Sequence, residues 1–594
     1  MKIDPITLEV VRNRLDFIAD EMEMTLLKSA YSAIIQEALD ASAAIFDTKG
    51  QTIVQATALP AQLGMLIPAV KSIIDAYPPD QMKEGDVYLM NDPYNGGTHL
   101  PDITVVAPVI YHGKTLALSV NMAHHQDLGG KVPGSIPTDA TEIFQEGLII
   151  PPLKLYDQGR PNETLHAIIK KNVRIPYNTM GDFRAQIASC NVGIDRLKRL
   201  FNEYGAEDIL FYVEELFNRA EKMTLEKIKE IPDGEYTFED YIDNDGIDLD
   251  RRITLKVKLT IRGSEFIVDF TGTDPQVKGP INAVPSATMT AVYFVVKAIT
   301  DPSIPNNAGC YRSIRAILPE GSLVNPRLPA AVNARAITFK RIVDLLFGAL
   351  AKAIPERITA ASSGNIQAIS FGGIDPLTGK AFATSDVGAG GMGARPTKDG
   401  IDRIDTDVSN CMNIPVEAIE MNFPLRIIKN NLWDGSGGAG KYRGGLGFEK
   451  WFEAIRGEVV VSHRGDRNFT QPWGLFGGKA GRSWESYIVR KDGSREKIKA
   501  KKEFRLMPGD QLHLYGAGGG GYGDPLDRTV DVVLEDVLDR KVSIEKAREE
   551  YGVVIEGLPL RVNLEETAQT RKRLKEKRGP IRWTFDRGNG LGCE

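Results

Sequence analysis

Residues 95–127 read NGGTHLPDITVVAPVIYHGKTLALSVNMAHHQD, and this stretch predicts one β-hairpin with histidines and aspartates gathered at its open end. Two apolar runs rich in β-branched residues, Ile103–Tyr111 and Thr115–Met122, flank the segment 112–114. A three-residue connection that contains glycine is typical of a hairpin loop. The stretch therefore predicts a two-stranded antiparallel unit.

The register of the hairpin brings an acid opposite a histidine. Pairing Tyr111 with Thr115 and counting outward sets Asp102 opposite His124. Directly opposed residues have Cβ atoms about 5 Å apart, close enough for two side chains to hold one cation. His99 precedes Asp102 on a glycine-rich loop that can fold back over the same spot. The pattern predicts a cluster of metal-ligating side chains.

The register depends on the exact pairing of the strands. A slip of one residue would set Asp102 opposite Ala123 or His125. Pro108 interrupts the first strand, which indicates an edge strand or a bulge.

Mixed histidine and aspartate ligands suit a divalent ion such as zinc, manganese or iron. Few protein ligands would leave room for water on that ion. The alternative is that His99 and His124 are polar residues capping the strand ends. The paired pattern, His-x-x-Asp facing His-His-x-x-Asp, favours the metal.

Composition sets broad limits on the protein class. At 594 residues the chain is long enough for several domains, and its 42% hydrophobic and 26% charged residues are typical of soluble globular proteins. A net charge of −6 offers no electrostatic reason to expect nucleic acid or an anionic membrane as partner. The opening segment carries acids and no long apolar run, unlike a signal peptide or membrane span. We expect a cytoplasmic protein.

The cysteines predict no shared site. The chain has four, and no two of them form a CxxC pair. Neither a disulfide framework nor a thiolate zinc site is indicated.

The N-terminal third begins with a predicted helix and a strand pair. The segment Pro5–Ile35 repeats apolar residues at helical spacing, and a proline suits the helix start. Residues 43–46 and 52–56 then predict two strands around a turn at 47–51. Asp40 lies between the helix and this pair, where a carboxylate can point into a shared site.

Periodicity changes near residue 230. Residues 180–230 are strongly helical, whereas residues 237–242, 251–261 and 264–270 alternate and predict an antiparallel meander. We therefore expect a domain boundary near residue 230.

The remainder predicts helices around a glycine-rich β region. Helical patterns cover 285–301 and 337–354, and residues 385–525 are strand-like. Two helices follow at 531–539 and 543–551, with Ser543 as N-cap, and the charged tail 565–578 is either a solvated helix or disordered. The fold class is α+β, a mixed α/β multidomain fold with mixed and antiparallel sheets and packed helices. The expected domains are an N-terminal metal-binding domain (1–230), a central α+β domain (231–430) and a glycine-rich β region with C-terminal helices (431–594).

Three glycine clusters partly match nucleotide-binding motifs, and we reject all three. The segment 435–442 nearly matches GxxxxGK[ST], but Tyr442 cannot supply the magnesium-binding hydroxyl of a P-loop. Residues 388–393 and 516–521 match GxGxxG, but neither opens a helix that could receive a pyrophosphate. These glycines predict turns or close backbone approach. The RGD triplet at 464–466 receives no role.

Long strings across the chain resemble the hydantoinase B/5-oxoprolinase family, whose members are the metal-bearing partners of hydantoinase A-type ATPase subunits. The strings are DPITLEVVRNRL (4–15), NDPYNGGTHLPDITVVAPV (91–109), TEIFQEGLIIPPLKL (141–155), RIVDLLFGALAKAIPERITAASSGN (341–365) and GAGGGGYGDPLDR (516–528).

The resemblance implies a ligand set and two supporting groups. In that family an Asp in the segment matching EALDASAAIFD, the His and Asp of THLPD and a His of the following strand hold the metal. The corresponding ligands here are Asp40, His99, Asp102 and His124. His125 and Asp127 are then candidate catalytic groups that support the ligands or carry protons.

The resemblance also implies a division of labour between two chains. The partner binds ATP and phosphorylates the oxygen of a small cyclic amide, and the metal-bearing chain supplies the water that opens the activated ring. A metal lowers the pKa of bound water from 15.7 to about 7. We expect a hetero-oligomer with two or more copies of the chain. We expect the chain to be inactive without its partner.

Two other functions stay open. Acetone and acetophenone carboxylases are relatives whose equivalent chain joins an activated enol to a carboxyl donor. The chain length suits the amidohydrolase branch better, and the segment 135–144 departs from the small residues frequent in relatives. A non-enzymatic scaffold with a structural metal would show four protein ligands and no water.

Overall fold

The structure is a computed structural model that describes residues 3–364, 367–499, 501–589 and 591–593. Helices and antiparallel sheets share the chain, as the predicted mixed α/β class requires. The helices are α1 (Pro5–Ser29), α2 (Ala33–Gln36), α3 (Pro60–Ala76), α4 (Glu163–Asn172), α5 (Pro176–Tyr204), α6 (Ala206–Ile228), α7 (Pro285–Ile299), α8 (Arg335–Leu350), α9 (Val416–Asn422), α10 (Val530–Leu538), α11 (Ile544–Glu549) and α12 (Leu564–Arg578). The strands are β1 (Ala41–Asp47), β2 (Thr52–Gln55), β3 (Val87–Met90), β4 (Asp102–Tyr111), β5 (Lys114–His124), β6 (Leu153–Asp157), β7 (Arg160–Pro161), β8 (Gly234–Ile242), β9 (Ile253–Arg262), β10 (Glu265–Asp269), β11 (Ile314–Ile317), β12 (Gln367–Asp375), β13 (Lys380–Gly388), β14 (Leu425–Leu432), β15 (Phe448–Ala454), β16 (Val459–Arg464), β17 (Gly474–Leu475), β18 (Glu485–Val489), β19 (Arg495–Lys497), β20 (Lys501–Leu506), β21 (Gln511–Tyr515), β22 (Ile555–Glu556), β23 (Arg561–Val562) and β24 (Phe585–Asp586).

A seven-stranded sheet of order β2-β1-β5-β4-β3-β6-β7 carries the hairpin at its centre. Helices α1 and α5 pack on one face and α3 on the other, so β4 and β5 are buried on both sides. Even-numbered side chains such as Val106 and Met122 face the core of α3, and odd-numbered ones such as Ile103 and Val105 face α5. Because strand side chains alternate, this parity decides which face each polar residue at the strand ends enters.

The predicted register is confirmed, although two details of its derivation are wrong. The hairpin loop has two residues, His112 and Gly113, and Tyr111 pairs with Lys114. Both loop residues have positive φ, 49° and 77°, as a two-residue hairpin turn requires. The shorter loop shifts the pairing by one residue relative to the prediction. A bulge between Val109 and Ile110 shifts it back by one residue, so Asp102 still lies opposite His124.

That bulge follows Val109, one residue beyond Pro108, and a bulge is one of the two outcomes that this proline indicated. The strand is central rather than an edge, but the pairing of β4 with β3 ends at Val106. Proline is tolerated at position 108 because no ladder bond towards β3 is formed there.

The first predicted helix forms as two helices in the structure. The long helix α1 ends at Ser29, and the short helix α2 starts at Ala33. In the gap, the N–H groups of Tyr31 and Ser32 donate to Asp182 of α5, at 2.7 and 3.1 Å. A carboxylate that is distant in sequence thus replaces the helical acceptors, which periodicity alone cannot indicate.

The meander β8-β9-β10 forms as predicted, with β11 added in parallel at its edge. The largest apolar core joins both sides of the predicted boundary near residue 230, since it includes Met65 of α3, Val292 of α7 and Leu346 of α8. Helix α8 is buried along its whole length and begins beside the large sheet. The three domain ranges stay a prediction.

The glycine-rich segments pack backbone against backbone, as expected from close approach rather than nucleotide binding. A Cβ on Gly519 would lie 2.0 Å from the carbonyl oxygen of Met392, and one on Gly393 would lie 1.7 Å from that of Ala360. Only glycine allows these backbone segments to come so close.

The C-terminal segment is helical. Ser543 caps α11 through the N–H of Lys546, as predicted, and the charged tail forms α12. Arg571 of α12 donates to the carbonyl oxygens of Tyr551 and Arg528, which attaches the helix to the β region. None of the described helices combines the length and apolar character needed to cross a bilayer.

Candidate metal centre

The predicted ligands meet at one end of the large sheet. Asp102 opens β4 and His124 ends β5, and the pairing of the two strands sets them opposite each other. His99 lies on the loop before β4, and Asp40 directly precedes β1, where its carbonyl oxygen accepts the N–H of His124 at 3.1 Å. Asp40, Asp102 and His124 are all even-numbered, so strand parity directs them to the α3 face.

The donor atoms are spaced as adjacent ligands of one ion. Oδ1 of Asp102 lies 3.1 Å from Nε2 of His99 and 3.1 Å from Nδ1 of His124. Metal bonds of about 2.1 Å put neighbouring donors about 3.0–3.4 Å apart. Nε2 of His99 is buried and makes no hydrogen bond, despite its proximity to Asp102. An orphaned imidazole nitrogen beside a carboxylate oxygen fits a divalent cation.

Asp40 lies at the margin of this cluster. His99, Asp102 and His124 form the compact group, with one donor atom each within 4.8 Å of the others. Oδ2 of Asp40 is 3.9 Å from Nδ1 of His124. Its other oxygen, Oδ1, accepts from Nε2 of Gln62 of α3 at 2.6 Å, which leaves Oδ2 facing the cluster.

Neighbouring groups prepare His99 to act as a ligand. Its Nδ1 lies 3.2 Å from Oδ1 and 3.3 Å from the main-chain oxygen of Asn333. These acceptors favour a proton on Nδ1 and a lone pair on Nε2. Burial and the positive charge of Arg335 lower the pKa of His99 to about 3, so the imidazole is neutral at physiological pH. Metal binding needs this neutral form.

Asp102 is held as an anion. Burial alone would raise its pKa, but Arg335 and the hydrogen bond with His124 bring the pKa well below its ordinary value. Nη2 of Arg335 donates to Oδ2 at 2.6 Å, and the hydroxyl of Thr98 donates to the same oxygen at 2.9 Å. Oδ1 therefore remains for the cluster. Burial raises the pKa of Asp40 to about 6.

The ligand cluster forms one wall of a small pocket of about 60 Å³. Apolar side chains from α2, α8 and β13 form much of the rest, including Ile34, Phe339 and Val387. This volume accommodates a few waters, whereas ligand pockets usually have about 300–1,000 Å³. A ring-sized substrate therefore needs the pocket to open.

His125 and Asp127 do not join the cluster. His125 is odd-numbered, and its Nε2 lies 3.0 Å from Oε1 of Gln186 on the α5 face. The carboxylate of Asp127 is fully buried and accepts from the N–H groups of Gly129, Gly134 and Arg174. These contacts favour a structural role for both residues; their assignment as catalytic groups stays a prediction.

Sequence reasoning missed the residues that surround the ligands. Gln62, Asn333, Arg335 and Arg464 lie on three separate segments and reach the site only through the tertiary fold. The RGD triplet was the one signal that included any of them, and Arg464 of that triplet lines the pocket.

Replacing Asn333 by leucine should weaken metal binding without preventing folding. The substitution removes the side-chain acceptor of His99 Nδ1, and loss of such a partner typically costs 10- to 100-fold, so we expect about tenfold or more in metal affinity. Competition with a chelating dye measures the affinity. Asn121→Leu is the matched control, because Asn121 is a buried asparagine on the opposite face that bonds to Gln186. Equal losses in both variants would contradict the role of Asn333.

Comparisons with known proteins identify the family of the chain. A family model described as hydantoinase B/oxoprolinase matches residues 4–525. A putative D-/L-hydantoinase B-type subunit from Pseudomonas sp. (strain NS671) is 36% identical, with 96% of this chain and 98% of that protein covered. The crystal structure of an ATP-dependent caprolactamase from Pseudomonas jessenii superposes with a TM-score of 0.89 at 32% identity, over 96% of this chain and 100% of that one. A nucleotide-free acetone carboxylase structure also has a TM-score of 0.89, at 21% identity over 97% of this chain and 83% of that one, and shares the fold.

Proposed function

Because the chain belongs to the hydantoinase B/oxoprolinase family, we propose that it is the metal-dependent component of an ATP-dependent cyclic-amide hydrolase. The substrate class is a hydantoin, 5-oxoproline or lactam ring. ATP is bound by a hydantoinase A-type partner, which phosphorylates the amide oxygen, and this chain hydrolyses the activated ring. The complex is a cytoplasmic hetero-oligomer with two or more copies of the chain.

The observation that carries the proposal is the compact group of His99, Asp102 and His124 in a pocket with apolar walls. A divalent cation held there by these three donors, with Asp40 beside it, would act as a Lewis acid and lower the pKa of a bound water towards about 7. Asn333 and Gln62 fix the orientation of two of these side chains, and the apolar wall limits access of bulk water.

The arrangement of donors favours an enzyme over a scaffold. A structural zinc site is closed by four protein ligands, whereas a catalytic site keeps a position open. Three donors lie close together here, and Asp40 Oδ2 is further away, at 3.9 Å from His124. This spacing supports a site with room for a water.

Two names support a division of the enzyme into different chains. The hydantoinase relative is named as one subunit of its enzyme, and the caprolactamase structure is called ATP-dependent. The glycine clusters of this chain lack the hydroxyl or the following helix that a nucleotide site needs, and most of their glycines pack against backbone. The proposal therefore places ATP on the partner chain, where phosphorylation gives the amide a leaving group that an unactivated amide lacks.

Reconstitution with a hydantoinase A-type partner tests the proposal. We expect ring opening of at least one hydantoin, oxoproline or lactam that depends on ATP, on the metal and on both chains, with no turnover by this chain alone. Product formation and phosphate release are measured together.

Bicarbonate separates the hydrolase from the carboxylase alternative, with which the chain shares its fold. We expect hydrolysis rates that are unchanged when bicarbonate is omitted. Turnover of a ketone that requires bicarbonate, without hydrolysis of any ring, would replace the proposal by the carboxylase.

A further inference from the structure

Arg464 is a buried cation with an unused hydrogen-bond donor among the residues that the structure describes. It ends β16, is 4% exposed and lines the pocket beside the ligand cluster. Its Nη1 donates to the main-chain oxygen of Asn333 at 3.0 Å, while its Nε–H has no hydrogen-bond partner. Within the described ranges it forms no ion pair with any carboxylate. An unpaired buried charge is costly, so its presence calls for a compensating anion.

Arg335 brings a second guanidinium to the same pocket. One of its nitrogens, Nη2, is occupied by Asp102 and Thr98, but its Nε–H is also buried without a hydrogen-bond partner. Arg335 is 6% exposed. Two guanidiniums with unused N–H donors therefore border one cavity.

The charges around the pocket leave a positive excess once a metal is bound. The carboxylates of Asp40 and Asp102 balance Arg335 and Arg464. Burial lowers the pKa of Arg464 to about 9, which leaves it cationic at neutral pH. Glu146 is a further buried carboxyl near Arg464 and Arg335, and burial raises its pKa to about 8. Even with Glu146 counted as an anion, a divalent cation gives an excess of at least one positive charge, which a neutral ring cannot offset.

We propose that Arg464 and Arg335 form a phosphoryl-binding subsite beside the metal donors, which receives the phosphoryl group of the activated substrate. The inference deepens the proposed function and rests on it, because ATP-dependent activation is what makes the substrate anionic. Guanidinium N–H groups match phosphoryl oxygens in geometry, and such charge-assisted hydrogen bonds are strong where water is excluded. The subsite positions the substrate and forms no bond itself.

Binding of phenyl phosphate and of inorganic phosphate to the metal-loaded full-length chain tests the subsite. Phenyl phosphate represents a phosphoryl group attached to a carbon skeleton, and inorganic phosphate represents the released product. We expect both to bind with one site per chain by titration calorimetry. Arg464→Met should weaken both by about tenfold to a hundredfold, since hydrogen bonds to charged groups are lost.

Stability supplies a second readout and a control for folding. Because Arg464 has no ion pair, its replacement by methionine should leave the Tm unchanged or raise it. Arg505→Met is the matched control, because Arg505 lies on the neighbouring strand β20 with its side chain 67% exposed and paired with Glu458. The control should bind both probes as the unmodified chain does.

Several results would overturn the subsite. Probe binding that persists in Arg464→Met would reflect the metal alone, and binding of inorganic phosphate without phenyl phosphate would assign the pocket to the product. The ring-opening assay of the reconstituted complex is separate, so an active complex in which this chain binds no phosphoryl probe would refute the subsite and leave the hydrolase standing. An inactive complex in which probe binding still depends on Arg464 would refute the hydrolase and leave the subsite standing.

Discussion

His99→Ala should remove the metal from the chain and reduce ring opening by at least about a thousandfold, because a bound metal contributes several kcal/mol to such reactions. The variant loses the contact of His99 Nδ1 with Asn333 but keeps the buried ion pair of Asp102 with Arg335, so the fold should remain. Elemental analysis gives the metal content per chain, and the reconstituted complex gives the turnover. His112→Asn is the matched control, since His112 is an exposed histidine of the same hairpin at a positive φ of 49°, which asparagine tolerates.

Asp102→Ala should have the same effect on metal and turnover, with an added loss of stability. The variant leaves Arg335 buried without its carboxylate, and breaking a buried ion pair costs about 3–5 kcal/mol in the free energy of unfolding. Urea denaturation measures this difference between the two variants. Full metal occupancy in either variant would show that the ligand assignment is incorrect.

Gly519→Ala should prevent the glycine-rich region from folding. The added Cβ would lie 2.0 Å from the carbonyl oxygen of Met392 and 2.3 Å from its carbonyl carbon, and backbone cannot turn aside as a flexible side chain can. We expect a destabilisation of more than about 3 kcal/mol, at the upper end of overpacking effects. The yield of monodisperse chain and the urea midpoint measure it.

Gly379→Asn separates steric crowding from the general cost of losing a glycine. Gly379 lies between β12 and β13 at a φ of 66°, with no atom within 4 Å of an added Cβ. Asparagine tolerates this conformation, so the control should fold with nearly unchanged stability. A Gly519→Ala chain as stable as this control would contradict the close packing of the glycine segments.

The position of the candidate metal ligands was predictable from consecutive residues. Alternation along β4 and β5 set Asp102 opposite His124, and the structure has the same pair, although the loop is shorter and a bulge compensates. The errors cancelled because the buried faces of a strand allow only registers that keep its apolar residues inside. The likeness to a known family added Asp40, which lies beside His124.

The surroundings of those ligands were not predictable. His99 meets Asn333 across 234 residues, and Asp102 meets Arg335 across 233. Nothing in the local pattern around Arg335 or Arg464 distinguishes them from surface arginines, since their burial becomes visible only when one end of α8 and one end of β16 meet at the pocket. The same holds for Asp182, which interrupts the first helix.

By itself, the sequence determined the hairpin, its register and the residue types that can hold an ion, because strand alternation and ligand spacing are properties of neighbouring residues. Tertiary structure alone decided that His125 faces α5 while His124 faces the ligands, and which buried cations border the pocket. The physical reason is that charge balance and exclusion of water depend on groups contributed by segments far apart in the chain, and these are set only when the whole core closes.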